Sequence, residues 1–134
     1  MNDALDKTKN LLKNWHQLVD QRDATLLPQL IAEDAQLLSP AFWRPREGRE
    51  KVATVLAAVS SIFKDLRYTK QWVDGNEIIL EFEANVGDKN LKGIDRIKLN
   101  QDGKLQEIEV LIRPMNALML LAQELGKKLG PDAL

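Results

Sequence analysis

Two turn signals in the second half of the chain constrain its fold more than any other feature. Gly87-Asp88 and Asp102-Gly103 are dipeptides typical of two-residue β-hairpins, and each separates stretches that alternate between apolar and polar residues. A turn centred on the second dipeptide pairs Lys98 with Glu107, and a turn centred on the first pairs Lys98 with Glu77. Both turns give the middle strand the same inner face, and a slip by one residue would bury its charges. We therefore predict an antiparallel β-meander in this register.

This register also predicts what each face of the meander carries. The inner face holds apolar side chains and one carboxylate: Ile78, Leu80, Phe82, Asp95, Ile97, Ile108 and Val110. The outer face becomes a ladder of acidic, basic and acidic strands, interrupted by Ile79, Ile94 and Leu111. Opposite charges on neighbouring strands stabilise such a ladder.

A further strand is expected at about residues 66–73, joined to the meander through a loop at Asp74-Gly75-Asn76. With those three residues as the loop, Trp72 faces Ile78, and the pairs Tyr68–Phe82 and Arg67–Glu83 follow. The same register turns Lys70 inward, which counts against it, since a buried lysine needs a partner.

The first half of the chain predicts helices and one strand. Apolar residues at helical spacing indicate a helix over about residues 3–21, with Trp15 on its apolar stripe and His16 at the edge. A short helix follows, for which Thr25 is the expected cap and Pro28 lies in the first turn. Residues 35–39 are expected to form a strand that ends before Pro40.

Residues 40–48 are expected to be a loop and residues 49–64 a third helix. The predicted buried face of that helix consists of Val52, Leu56, Val59, Ile62 and Phe63. A last helix is expected at about residues 115–129, and the apolar face predicted for it consists of Leu118, Met119, Ala122 and Leu125. We therefore predict an α+β fold as one domain over residues 1–134. Its N-terminal helices pack in the concave face of a curved antiparallel sheet, with an added C-terminal helix.

The composition excludes several kinds of site and partner. The chain has no cysteine and one histidine, so neither thiolate chemistry nor a multi-histidine metal site is available, and we expect no metal and no cofactor. Nineteen basic residues nearly balance twenty acidic ones, which argues against a nucleic-acid partner. We expect no membrane partner, because no apolar run approaches the ~18 residues of a span. Residues 1–6 lack a signal-peptide pattern, so the expected location is cytoplasmic.

Asp95 is the residue that most strongly suggests chemistry. The predicted register places its carboxylate on the buried face between Leu80 and Val110, where an unpaired charge is costly and the group takes up a proton or finds a partner. A protonated carboxyl in an apolar site can donate a hydrogen bond to a ligand oxygen. The alternative is that Asp95 accepts a hydrogen bond from a neighbouring element and serves only the fold.

His16 and the tryptophans are weaker candidates. His16 could be a base held by Asp20 one turn later, although such pairs are more often surface contacts. Trp15 and Trp72 are interpreted as core residues, whereas Trp43 lies in the predicted loop, where an aromatic side chain needs something to cover it.

Two stretches give the chain a family resemblance. Asp23–Pro40 (DATLLPQLIAEDAQLLSP) and Leu91–Pro114 (LKGIDRIKLNQDGKLQEIEVLIRP) resemble segments of the nuclear-transport-factor-2-like superfamily in its SnoaL-like branch, which has a cystatin-like fold. That superfamily includes isomerases, cyclases, hydrolases, transport factors and many proteins of unknown function. The resemblance implies a pocket between helices and sheet, and homodimers are common among such domains.

The ketosteroid isomerases of this superfamily allow a test residue by residue. They carry a tyrosine on helix 1, an aspartate before the proline of the first strand and an aspartate in the middle strand. The matching positions here resemble Trp15, Ser39 and Asp95, of which only the last agrees. Since a serine cannot replace the aspartate base, the residues argue against ketosteroid isomerisation.

The leading interpretation is a domain that binds a small apolar molecule through one polar group held by Asp95. The predicted lining consists of Trp15, Leu37, Ser39, Tyr68, Leu80, Phe82, Asp95 and Val110, with Trp43 near the mouth. One alternative is a cofactor-independent enzyme that uses Asp95 as acid or electrostatic stabiliser, with a weaker role for His16. The other alternative is an interaction module whose pocket is vestigial.

Overall fold

The computed structural model describes the backbone of residues 3–130 and the side chains of residues 5–130, so the ends of the predicted domain lie outside the described residues. The helices are α1 (Asp3–Gln21), α2 (Leu27–Leu30), α3 (Arg49–Ile62) and α4 (Met115–Leu129), and a 3₁₀ turn spans Ala24–Leu26. The strands are β1 (Ile31–Leu38), β2 (Arg46–Glu47), β3 (Lys64–Asp74), β4 (Glu77–Val86), β5 (Lys89–Leu99) and β6 (Leu105–Arg113). None of the described helices is both long and apolar enough to cross a membrane.

The six strands form one curved, open sheet in the order β2-β1-β6-β5-β4-β3, which confirms the predicted α+β fold. The sheet is mixed rather than wholly antiparallel, because β1 and β6 run parallel. These two strands are far apart in sequence and no hairpin joins them. No tight turn therefore imposes the antiparallel direction that the rest of the sheet follows.

The predicted register of the meander is confirmed. Lys98 pairs with Glu77 on one side and Glu107 on the other, and Asp95 lies between Leu80 and Val110. The connection after β5 is wider than the predicted two-residue turn. The Asn100 side chain accepts hydrogen bonds from the backbone N–H groups of residues 102 and 104, and the pairing shifts by one residue after Lys98.

The outer face of the sheet carries the expected charge ladder, and Arg96 connects three of its carboxylates. Its guanidinium donates to Glu77 at 3.2 Å, to Glu107 at 2.7 Å and to Glu109 at 3.2 Å. The neighbouring strands β4, β5 and β6 are thereby held together on the side away from the helices.

The predicted register of β3 is wrong at one end and right at the other. The loop is two residues, Gly75-Asn76, so Trp72 pairs with Ile79 instead of Ile78. Trp72 is therefore 43% exposed on the outer face, and its interpretation as a core residue is wrong. An irregularity between Tyr68 and Lys70 shifts the pairing, which restores the predicted Tyr68–Phe82 pair. As a result Lys70 is exposed, not buried, and its ammonium lies 5.0 Å from the centre of the Trp72 ring.

Several helix details differ from the predictions. Asp23, not Thr25, caps the 3₁₀ turn, because its carboxylate accepts a hydrogen bond from the Thr25 N–H at 3.1 Å. The predicted loop at 40–48 contains β2, and β1 begins at Ile31, four residues earlier than expected. Helix α3 ends at Ile62 and buries Val55 and Ala58, whereas Leu56 and Val59 are only half-buried.

The last helix has the predicted bounds, but its buried face is rotated from the predicted one. Ala117, Leu121 and Leu125 are buried at intervals of four residues, and Met119 is 56% exposed. These residues pack with Phe82, Val86 and Leu91 from β4 and β5. Helix α4 therefore closes one end of the concave face, while α1 and α3 cover the rest.

Candidate functional site

A cavity of about 110 Å³ lies between the concave face of the sheet and helices α1, α3 and α4. Its wall is almost entirely apolar. The strands contribute Leu37, Leu66, Tyr68, Phe82, Asp95, Val110 and Ile112. The helices contribute Trp15, Leu18, Val19, Val55, Leu56, Val59, Ser60, Leu118, Leu121, Ala122 and Leu125.

Asp95 is the polar group of the cavity floor. It lies in the middle of β5, where the alternation of the strand turns its side chain inward, and it is 8% exposed. Within residues 5–130 its carboxyl has no hydrogen-bond partner. Burial raises the pKa of Asp95 from its ordinary 3.8 to about 7. The carboxyl is therefore largely protonated at mildly acidic pH and about half protonated near neutrality.

Tyr68 contributes a second polar group to the cavity, its phenol hydroxyl, and Trp15 fixes the position of that hydroxyl. The Trp15 indole N–H donates to the Tyr68 hydroxyl oxygen at 2.9 Å, across 53 residues of sequence. Burial raises the pKa of the Tyr68 phenol, and the negative charge of ionised Asp95 raises it further. Tyr68 therefore stays neutral, and because its oxygen accepts from the indole, its own O–H proton is left to donate.

His16 lies behind Tyr68 and outside the cavity wall. Its ring meets the Tyr68 ring edge-on, with 5.2 Å between centroids, and its Nε2 lies 3.2 Å from the Gln71 side-chain oxygen. The hydrogen-bond partner of this ring nitrogen is thus Gln71 on β3, not the Asp20 considered from the sequence.

Two segments between regular elements also line the cavity: Ser39, Pro40 and Ala41 after β1, and Asp23 and Ala24 at the 3₁₀ turn before α2. The Ser39 hydroxyl oxygen accepts a hydrogen bond from the Ala41 N–H at 3.0 Å, so it stabilises the local turn.

The structure brings together most of the predicted lining. Seven of the predicted residues share the cavity wall: Trp15, Leu37, Ser39, Tyr68, Phe82, Asp95 and Val110. Leu80 is fully buried in the core and does not line the cavity, and Trp43 lies outside the wall with 98% of its surface exposed. Sequence reasoning missed the contribution of α3 and α4. Their apolar stripes were visible, but a stripe does not say whether a helix packs against the sheet or borders a space.

The described residues offer no metal site, since no three of their His, Asp or Glu side chains cluster closely enough. On its sheet side the cavity combines an apolar wall with two neutral hydrogen-bond donors, the Asp95 carboxyl when it is protonated and the Tyr68 hydroxyl. Such an arrangement can hold an apolar molecule by one acceptor oxygen, and it can stabilise negative charge that develops on that oxygen.

Comparisons with known proteins agree on the kind of domain. The sequence model of the SnoaL-like domain matches residues 12–108. No curated protein matches the chain. Among solved structures, the chain is similar to a steroid delta-isomerase from Pseudomonas aeruginosa, with 38% identity, a TM-score of 0.89 and coverage of 92% of this chain and 91% of that one.

Two further solved structures have the same fold without an assigned activity. An uncharacterised protein with a cystatin-like fold from Silicibacter pomeroyi DSS-3 is 29% identical, with a TM-score of 0.82 over 99% of this chain and 89% of that one. An NTF2-like protein of unknown function from Mesorhizobium loti is 17% identical, with a TM-score of 0.75 over 85% of this chain and 97% of that one. The second similarity shows the fold alone.

Proposed function

The chain belongs to the SnoaL-like domain family of the nuclear-transport-factor-2-like superfamily, and on that premise we propose that it binds a small apolar molecule carrying one hydrogen-bond acceptor. The observation that carries this proposal is the state of Asp95. Its carboxyl lines an apolar cavity and has no hydrogen-bond partner within the described residues. Burial in this position raises the pKa of Asp95 to about 7.

An acceptor oxygen on the ligand completes this site. A carboxyl that is 8% exposed and has no hydrogen-bond partner is costly to ionise, because little water can solvate its charge. A carbonyl oxygen accepts the proton of neutral Asp95, and the Tyr68 hydroxyl offers a second donor to the same oxygen. A ligand carboxylate fits worse, because its charge would be desolvated in an apolar cavity.

The size of the cavity limits what it encloses. An engineered protein cavity of about 150 Å³ binds benzene. The cavity here, at about 110 Å³, is smaller, so it encloses about one ring of a ligand and leaves the rest of a larger molecule at its open side. Protein side chains leave this cavity unfilled. That supports ligand binding over the interaction module with a vestigial pocket, in which side chains would fill the space.

A second candidate function is an isomerase-type enzyme acting on a ketone. The similarity to the solved steroid delta-isomerase favours it, and Asp95 with Tyr68 could stabilise an enolate oxygen. Proton transfer would also need a base. Ser39 occupies the position expected for one, and its hydroxyl already accepts from the Ala41 N–H. We therefore place binding first and isomerisation second.

The proposal is tested with two ligands that differ by one carbonyl group, 1-indanone and indane. Calorimetric titration at pH 6, where Asp95 is protonated, should show binding of 1-indanone at least about tenfold tighter than indane, the ratio expected for ~1.4 kcal/mol. Asp95→Leu should remove that preference, and Tyr68→Phe should reduce it.

The matched control is Asp88→Leu, which makes the same replacement in the β4–β5 turn, where the side chain is 84% exposed. This variant should bind both ligands as the unchanged protein does. No binding of either ligand, or a preference for 1-indanone that survives Asp95→Leu, would refute the proposed function.

A further inference from the structure

The loop between β1 and β2 holds two neighbouring aromatic side chains in water. This segment, residues 39–45, is named the aromatic loop. Its Trp43 is 98% exposed, more than any other large apolar side chain in the described part of the chain, and Phe42 is 50% exposed. A tryptophan is largely buried in most proteins, so an exposed aromatic pair of this kind indicates a surface that another surface covers.

Two arginines without an ion-pair partner accompany the aromatic pair. Arg44 follows Trp43 directly, and Arg46 is the first residue of β2. Within residues 5–130 neither guanidinium forms a salt bridge, and the buried Nε of Arg46 has no hydrogen-bond acceptor. Residues 39–46 include no Asp or Glu, so these two positive charges are not neutralised by their own segment.

Arginines elsewhere on the sheet show what neutralisation looks like in this protein. The Arg96 guanidinium donates to three carboxylates, and that of Arg67 lies 2.7 Å from the Glu83 carboxylate. Arg44 and Arg46 therefore differ from them in having positive charge left over for an anion outside the described residues.

The aromatic and basic groups lie close enough together to meet one surface. Consecutive Cα atoms are about 3.8 Å apart, so the Cα atoms of Trp43 and Arg46 are separated by at most about 11 Å. Pro40 and Pro45 fix φ near both ends of the aromatic loop, which limits the conformational entropy that the loop loses when it is immobilised.

We propose that the aromatic loop docks this protein on the surface of a membrane that contains anionic lipids. Phe42 and Trp43 enter the boundary between headgroups and acyl chains, where aromatic side chains are favoured. Arg44 and Arg46 bind lipid phosphates. A lipid surface fits better than a protein partner, because two aromatic side chains of about 150–250 Å² each fall short of the ~800 Å² per partner in a stable protein interface.

Docking on a membrane surface is compatible with the absence of a spanning segment. The expectation of no membrane partner rested on that absence, and none of the described helices is long and apolar enough to cross a membrane. A surface anchor requires only a few aromatic and basic side chains. The inference is also independent of any ligand in the cavity.

The test measures co-sedimentation with sucrose-loaded vesicles made of equal parts phosphatidylglycerol and phosphatidylcholine. Partitioning should be at least about tenfold stronger than onto vesicles of phosphatidylcholine alone, since each basic side chain near an anionic surface contributes about fivefold. Added salt should weaken it. Trp43→Ala and Arg44→Gln should each lower partitioning at least about fivefold.

Trp72→Ala and Arg67→Gln are the matched controls. Both residues are exposed and lie on β3, at the opposite edge of the sheet from β2. These variants should partition within about twofold of the unchanged protein. Urea unfolding of the Trp43 variants should show an unchanged midpoint, because the side chain is almost fully exposed.

Tryptophan emission reports on the position of Trp43. Anionic vesicles should shift the emission of the unchanged protein, and of Trp72→Ala, to shorter wavelength as the Trp43 indole leaves water. Trp43→Phe should still sediment with the vesicles, because an aromatic side chain remains, but it should not show the shift.

Three results would overturn the inference. One is partitioning onto anionic vesicles that is absent or insensitive to Trp43→Ala. Another is displacement from the vesicles by soluble glycerol 1-phosphate at matched ionic strength, which would indicate a site for a single small anion. The third is a smaller mass of Trp43→Ala in sedimentation without vesicles, which would show that the aromatic loop joins two copies of the chain.

Discussion

Replacing Asp95 with asparagine should stabilise the protein at neutral and alkaline pH and leave its stability nearly unchanged at acidic pH. The replacement keeps the shape of the side chain and cannot ionise. In the unchanged protein, burial favours the neutral carboxyl, so the folded state holds a proton that the unfolded state releases above its ordinary pKa of 3.8. Stability is therefore fully present below pH 3.8 and is lost as the pH rises towards and through about 7.

The size of this effect follows from the two pKa values of Asp95. The difference between 3.8 and about 7 corresponds to roughly 4 kcal/mol, since one pKa unit is worth about 1.4 kcal/mol. That figure is an upper bound, because the Asp95 side chain is 8% exposed and solvent screens part of its charge. It is still a large fraction of the ~5–15 kcal/mol that stabilises a typical domain.

The assay is urea unfolding of both proteins at several pH values from 4 to 8.5, followed by circular dichroism, with exposed Asp88→Asn as control. The free energy of unfolding of the asparagine variant, minus that of the unchanged protein, should increase steadily between pH 4 and 7. Above pH 7 this difference should level off. A pH-independent difference would refute the reasoning. So would an asparagine variant less stable by about 1–3 kcal/mol throughout, which is the result expected if Asp95 accepts a structural hydrogen bond.

Four further outcomes are expected. Conversion of a β,γ-unsaturated ketosteroid, followed by enone absorbance, should not exceed background, and turnover that Ser39→Ala abolishes would contradict this. A homodimer is expected by analytical ultracentrifugation at micromolar concentration, and a monomeric mass would contradict it. Gly93→Ala should cost about 1–3 kcal/mol in urea unfolding, because the added methyl would lie 2.4 Å from Phe82 Cζ and 2.8 Å from the Leu111 carbonyl oxygen; unchanged stability would show that these groups can move. Ala122→Phe should fill the cavity and prevent 1-indanone binding without lowering the thermal midpoint, and retained binding would place the ligand elsewhere.

The central strands could be predicted because their information is local. A hairpin turn and two-residue alternation together fix which residues pair, and two independent turns agreed on the inner face of β5. The burial of Asp95 followed from the two-residue alternation of the strand alone, since Gly93 and Ile97, two residues before and after it, lie on the same buried face. The family resemblance, carried by Asp23–Pro40 and Leu91–Pro114, was confirmed by the match over residues 12–108.

The site depends on contacts that no local pattern encodes. The irregularity after Tyr68 turns that side chain inward and Lys70 outward, and the sequence showed only that a regular strand would bury the lysine. The Trp15–Tyr68 hydrogen bond joins residues 53 positions apart. Whether the stripes of α3 and α4 fill the concave face or border a cavity depends on where each helix lies over the sheet.

By itself, then, the sequence determined the class of the fold, the register of the meander and the inward position of Asp95, because turn chemistry and side-chain periodicity act between near neighbours. Only the tertiary structure decided that β1 joins β6 in parallel, that Tyr68 stands with Asp95 in one cavity, and that Trp43 lies exposed outside the cavity wall. The physical reason is that burial, desolvation and empty space are properties of several elements packed together. The pKa of Asp95 expresses this most directly, since it is raised by the removal of water around the carboxyl.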